Sequence, residues 1–269
     1  MTPVLMFSVI AVASLVTSFI SGILGMAGGM ILMGVLLALM PLPAAMMLHG
    51  ISQLAANGWR AVILRHEIDW RVFRGLALGS FAALALFAVL QLVVDKAVAL
   101  VAMGLTPFVT LALPEKLHLN VERRGHSFAC GLICTVLALV AGISGPLLDV
   151  FFVRSKMSRH KVVATKAASQ SLGHLLKIVY FGGIVSVAGA SVDPWMAGMM
   201  VVLAFVGTTL SRQVLERMSD ASFRRWTRWT VMSLGAVYLA TGLLAFGITG
   251  EPSGPDANSR GRLKRNKAT

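Results

Sequence analysis

The chain has 269 residues, 57% of them hydrophobic and only 13% charged, where an ordinary soluble domain carries about 25% charge. Apolar runs near or above ~18 residues recur along its length, which argues against a soluble enzyme or binding domain and for a polytopic membrane protein. The net charge of +13 is confined largely to short loops between those runs and to the C-terminal tail. That is the positive-inside pattern rather than a nucleic-acid footprint.

Met1 to Phe7 holds no Lys or Arg, so the N-terminus lacks the basic region of a signal peptide and reads as mature protein. Pro3 to Met40 is apolar but interrupted by Gly22, Gly25, Gly28 and Gly29. Pro41 to Leu64 predicts a helix with a polar stripe of His49, Ser52, Gln53, Asn57 and Arg60. Arg65 to Arg71 reads as a polar loop. Spans follow at Val72–Val94 and Ala97–Leu113, the second with a kink site at Pro107. Pro114 to His126 is the loop between the halves.

The second half opens with an apolar stretch from Ser127 to Val153. Its 27 residues fall short of the roughly 40 needed for two crossings. Two half-helices meeting at Gly142, Ser144 and Gly145 solve this, and the first half is read the same way at Gly25, Gly28 and Gly29. Irregular backbone at membrane depth is tolerated where it lines a cavity, and a half-helix N-terminus there favours anions. Close packing of small residues is the competing reading. Cys130 and Cys134, one helical turn apart, read as packing residues. A basic loop, Arg154 to Lys161, leads into a second striped helix, Lys161 to Tyr180. Then come an uncharged turn at Ser186–Ser191, spans at Pro194–Leu210 and Trp226–Phe246 with a loop from Arg212 to Arg228 between them, and a disordered tail from Glu251.

The second striped helix carries Lys166, Gln170, His174 and Lys177, a spacing that lies on one helix face. Lysines near helix ends can snorkel to the interface, but snorkelling leaves Gln170 and His174 unexplained. A shift of 117 residues carries His49 onto Lys166, Ser52 onto Ser169, Gln53 onto Gln170, Asn57 onto His174 and Arg60 onto Lys177. The same shift carries Gly25–Gly29 onto Gly142–Pro146. A constant offset across about 35 positions indicates an internal repeat, which in membrane proteins points to a transporter with its site between the halves.

The loops at residues 65–74, 114–126, 154–161 and 211–228 hold three, three, four and five Lys or Arg, whereas the opposite turns hold one, Lys96. The rich loops are therefore expected in the cytoplasm, and the second half is inverted relative to the first. The basic tail, placed outside by this count, is at odds with it. The expected architecture is an all-α polytopic membrane protein of two inverted repeats. Each is a glycine-broken, re-entrant-like hairpin plus about three transmembrane helices, with 8–10 membrane segments in all. The repeats occupy 1–113 and 127–248, joined by a cytoplasmic linker at 114–126 and followed by the tail at 249–269.

The repeated pattern Gly22-x-x-Gly25-x-x-Gly28-Gly29 and Gly142-x-x-Gly145-Pro146, with His160-Lys161-Val162-Val163-Ala164-Thr165 leading into the second striped helix, resembles the sulfite exporter TauE/SafE family. The likeness covers about residues 5 to 248. It implies a bacterial inner-membrane permease that moves sulfite, sulfoacetate or a related sulfur oxyanion outward. Pro146 and Asp149 depart from the family's glycine-rich second motif and leave the particular substrate open.

An oxyanion leaving water needs countercharge and hydrogen-bond donors. Arg60, Lys166 and Lys177 supply charge; Ser52, Gln53, Asn57, Ser169, Gln170 and His174 supply polar contacts. His49, Asp149 and His174 are candidates for proton coupling, the histidines because they titrate near neutral pH; Asp149 equally reads as an ion pair with Lys166 or Arg154. No enzyme chemistry, cofactor or metal is expected, since His66-Glu67 lies in a loop without the HExxH spacing. The expected partners are a small anion, the lipid bilayer and protons, with no nucleic acid. A passive anion channel and a carrier of non-sulfur carboxylates stay open as alternatives, as do monomer and homodimer.

Overall fold

The computed structural model describes residues 2–24, 26–114, 117, 119–185, 192–217 and 220–249, and these are helical with short connections. In chain order the helices are α1 (Pro3–Leu24), α2 (Met26–Leu39), α3 (Leu42–Ile63), α4 (Trp70–Leu90) and α5 (Lys96–Ala112), then α6 (His126–Ala141), α7 (Gly145–Phe152), α8 (Arg159–Val179), α9 (Pro194–Arg217) and α10 (Asp220–Thr249). A single-turn 3-10 helix covers Arg65–Glu67, and a π-helical turn, Tyr180–Ile184, continues α8.

Four stretches are long and apolar enough to cross a bilayer: Val4–Leu24, Trp70–Leu90, Pro194–Ser211 and Arg225–Phe246. Their outward residues are large and apolar, among them Val12 on α1, Leu78 and Phe81 on α4, and Leu243 and Leu244 on α10. Such surfaces suit lipid and not water. The polar stripes face inward instead. Helices α3 and α8 pack along each other at the centre, and α1 lies against α9, α4 against α6, and α5 against α10. Helix α2 is enclosed, with Ala27, Met30, Leu32, Met33 and Leu36 fully buried.

Local chemistry sets the helix ends. Asp69 caps α4 by accepting from Val72 N–H, and Ser158 caps α8 by accepting from Lys161 N–H, both favoured N-cap arrangements. Gly142 closes α6 at φ +76°, a left-handed geometry that glycine adopts without Cβ strain. Pro146 follows at the start of α7, where its missing N–H costs nothing. The second hairpin is thus a 16-residue helix, a break at Gly142–Ser144 and an 8-residue helix.

The first hairpin differs from expectation in two respects. Helix α1 has 22 residues, long enough for a full crossing and not a half-helix, because Gly22, set near its end against Ser211 of α9, serves close packing and does not break it. Gly28 and Gly29 lie in the first turn of α2 and not at a break. Gly28 serves close packing: a Cβ there would sit 2.0 Å from the Thr17 carbonyl of α1. Gly25 lies outside the described residues, as do the turn Ser186–Ser191 and the tail. The expected loop from Arg212 to Arg228 is helical in all its described residues, as the last turns of α9 and the first of α10. Cys130 and Cys134 are buried free thiols 3.9 Å apart.

Candidate functional site

Helices α3 and α8 bring both stripes to one interface. Between them and the α1–α2 junction lies a cavity of about 300 Å³. Gln53, Asn57 and Arg60 line it from α3, Lys166 and Gln170 from α8, and Asp149 from α7. Met26, the first residue of α2, also lines the cavity.

Lys166 forms an ion pair with Asp149. Both are partly exposed, at 24% and 37% of their side-chain surface, so the pair is accessible from the cavity. The Asn57 amide donates to the Gln53 carbonyl at 3.0 Å, one turn back on α3. Among the described residues, the Gln53 side-chain nitrogen is buried without a hydrogen-bond partner, as are the Ser52 hydroxyl and His174 Nδ1. An unsatisfied buried polar atom is costly, so three such groups along one interface mark a place that a polar ligand or water can satisfy.

Gln170 also borders a second, small cavity of about 20 Å³, lined by Ser144, Ser169, Gly173 and His174 and by Ser80 and Thr135 across from them. That is room for about one water molecule. The Ser169 hydroxyl itself donates to the Thr165 carbonyl at 2.7 Å.

Lys177 lies elsewhere. It is fully buried, about 16 Å along α8 from Lys166 at ~1.5 Å per residue. Its ammonium donates to His49 Nδ1 at 2.7 Å and to the Gly142 carbonyl at 3.0 Å. His49 Nε2 in turn contacts the Gly29 carbonyl at 2.9 Å. Together these contacts fix a neutral imidazole with its proton on Nε2. One lysine therefore ties both central helices to both glycine segments, and the His174 ring stands edge-on to His49 with centroids 5.5 Å apart. Snorkelling does not describe Lys177, whose side chain is fully buried.

The stripe residues thus divide into a cavity group (Gln53, Asn57, Arg60, Lys166, Gln170) and an enclosed group (His49, Ser52, His174, Lys177), with Ser169 at the small cavity. The cavity also takes in Ser21, Arg159 and Thr227, which sequence reading did not single out. Thr227 falls where the expected loop and the last span overlap, and Ser21 carries no signal beyond being a small polar residue in an apolar run.

An all-α bundle with lipid-facing outer helices and a cationic, polar cavity between two central helices is a multi-pass membrane protein of transport type. Residues 10–239 match the family described as Sulfite exporter TauE/SafE, and the chain belongs to that family of membrane transporters. Comparisons with curated proteins and with solved structures find no match.

Proposed function

We propose that the protein is a secondary transporter of a bacterial inner membrane that exports a small sulfur oxyanion or sulfonate, and that the α3–α8 cavity is its binding site. The observation that carries this reading is the composition of one wall. Arg60 and Lys166 supply charge beside the Gln53 and Gln170 amides, of which Gln53 has an unused donor. At about 300 Å³ the cavity is at the small end of ligand sites, which span roughly 300–1,000 Å³. That suits a few-atom anion and its waters. Gln53 and Gln170 lie near the middle of helices 22 and 21 residues long, so the site falls near mid-membrane.

The helix packing supports an inverted-repeat arrangement. Exchanging α1–α5 for α6–α10 turns the pair α1–α9 into α6–α4, α3–α9 into α8–α4, and α2–α10 into α7–α5, all of which are packed pairs. The pairs α3–α8 and α5–α10 map onto themselves. Two equivalent halves around a central site are the architecture in which rocking exposes that site alternately. A ligand that binds the folded state raises its melting temperature. Detergent-solubilised protein should therefore be stabilised by millimolar sulfite or sulfoacetate more than by acetate or chloride. Equal shifts for all anions would remove the sulfur preference and favour the broader carboxylate or channel readings.

A further inference from the structure

The shift that relates the stripes also relates the two cationic pairs. It carries Arg60 onto Lys177 and His49 onto Lys166. The contact between Lys177 and His49 therefore stands, under exchange of the halves, where Arg60 and Lys166 stand on the open cavity. We propose that Lys177, His49, Ser52 and His174 form a second anion site for the same oxyanion. It is closed in this structure, and it opens to the opposite side as the Arg60–Lys166 end closes. The proposal rests on the anion reading above.

Three observations favour a site over a structural knot. First, Lys177 is fully buried, and among the described residues its ammonium meets only a neutral imidazole and a carbonyl. A cation in a bundle interior normally has a carboxylate partner. At the open end Lys166 has one, Asp149; the residue that the shift relates to Asp149 is Leu32, also fully buried. Countercharge is supplied by the protein at one end and by nothing at the other, and an entering anion would supply it. Second, the Ser52 hydroxyl and His174 Nδ1 are both buried and unpartnered. They are hydrogen-bonding groups with no use in the closed arrangement. Third, Gly50, next to His49, lets α3 and α8 approach closely here, so the Lys177 stem lies at the interface that would part: an added Cβ would sit 2.8 Å from Ile178 and 3.3 Å from the His174 carbonyl.

On opening, Lys177 Nζ would release His49 Nδ1 and the Gly142 carbonyl and turn to the oxyanion, with Ser52 and His174 completing the shell. The two cationic pairs would then act in series, one for capture and one for release. Among the described residues, the titratable groups that face Lys177 are His49 from α3 and His174 from its own helix. Asp149 of α7 is committed to Lys166.

The test uses full-length protein in proteoliposomes of fixed orientation, with sulfite and sulfoacetate as probes applied from either side. Lys177→Met replaces a buried charge with an apolar chain of similar length. It should raise the half-saturation constant at the outer side 10-fold or more while changing that at the basic-loop side less than 3-fold. Lys177→Arg should recover part of the loss. A purely structural lysine would instead lower the folded amount and affect both sides alike, and that result overturns the proposal. An arm independent of anion identity uses Ser52→Cys in a background with Cys130 and Cys134 replaced by alanine. An impermeant thiol reagent should modify it from the outer side. If neither probe binds the wild type, the sulfur-anion reading fails by itself. The labelling then decides: modification from the outer side sustains an opening at this position, and a Ser52→Cys inert from that side rules it out.

Discussion

At the scale of single residues, the Lys166–Asp149 ion pair on the cavity is what an anion bound there, as proposed, would meet. An entering anion competes with Asp149 for the same ammonium. Lys166→Gln removes a charge-assisted hydrogen bond of ~1.5–3 kcal/mol, and partial exposure places the effect near the lower end, about tenfold in affinity at ~1.4 kcal/mol per tenfold. Asp149→Asn should act in the opposite direction. The ion pair is partly solvated, so freeing Lys166 is worth at most ~1 kcal/mol, or about a fivefold tighter apparent anion affinity. Calorimetric titration with sulfite checks both, and a weaker-binding Asp149→Asn protein would show that Asp149 assists the anion and does not compete with it. Gln53→Ala should weaken binding about fivefold, since a neutral hydrogen bond nets ~1 kcal/mol. The stripe was legible in the sequence because helical spacing alone puts Lys166, Gln170, His174 and Lys177 on one face. The division into an open and a closed group was not, because the partners come from afar. His49 reaches Lys177 across 128 positions of chain, and no local spacing encodes that.

At the scale of helices, glycine decides how closely neighbours approach. A Cβ on Gly131 would sit 2.0 Å from the Leu76 carbonyl, and one on Gly79 would sit 2.0 Å from the Phe128 carbonyl, so α4 and α6 meet backbone to backbone. Gly131→Ala should cost at least ~1–3 kcal/mol through forced separation. Gly198→Ala on α9, where a Cβ meets nothing within 4 Å, should be neutral or stabilising by up to ~1 kcal/mol from helix propensity. Melting temperatures of the two purified variants give the comparison. A Gly131→Ala protein as stable as wild type would mean that α4 and α6 can part without loss. Element boundaries were legible where glycine or proline interrupts the chain, as at Gly142–Pro146 and Leu39–Pro41. They were misread at 212–228, where Arg lowers hydropathy and so ends an apolar run. Arginine is nonetheless a good helix former: charge ends a span without ending the helix. In the first hairpin α1 ends at Leu24 and α2 begins at Met26, and Gly28, read as part of that break, marks close packing instead.

At the scale of the whole molecule, export needs an order of sides and a path between them. On the positive-inside expectation, the basic segments around Arg71, Arg124, Ser158 and Arg225 would face the cytoplasm and the turn before Lys96 the outside. An impermeant thiol reagent applied to intact cells should label Lys96→Cys and leave Ser158→Cys unmodified; the reverse pattern would turn the molecule over and exchange the entry and exit roles of Lys166 and Lys177. The central claim is that the α3–α8 cavity carries an anion, and anion efflux from loaded proteoliposomes tests it most directly. Wild-type protein should release sulfite or sulfoacetate faster than acetate. Arg60→Gln and Lys166→Gln should each raise the half-saturation constant on the loaded side about tenfold or more. If both variants insert, fold and release these anions at the wild-type rate and affinity, the cavity is not the route.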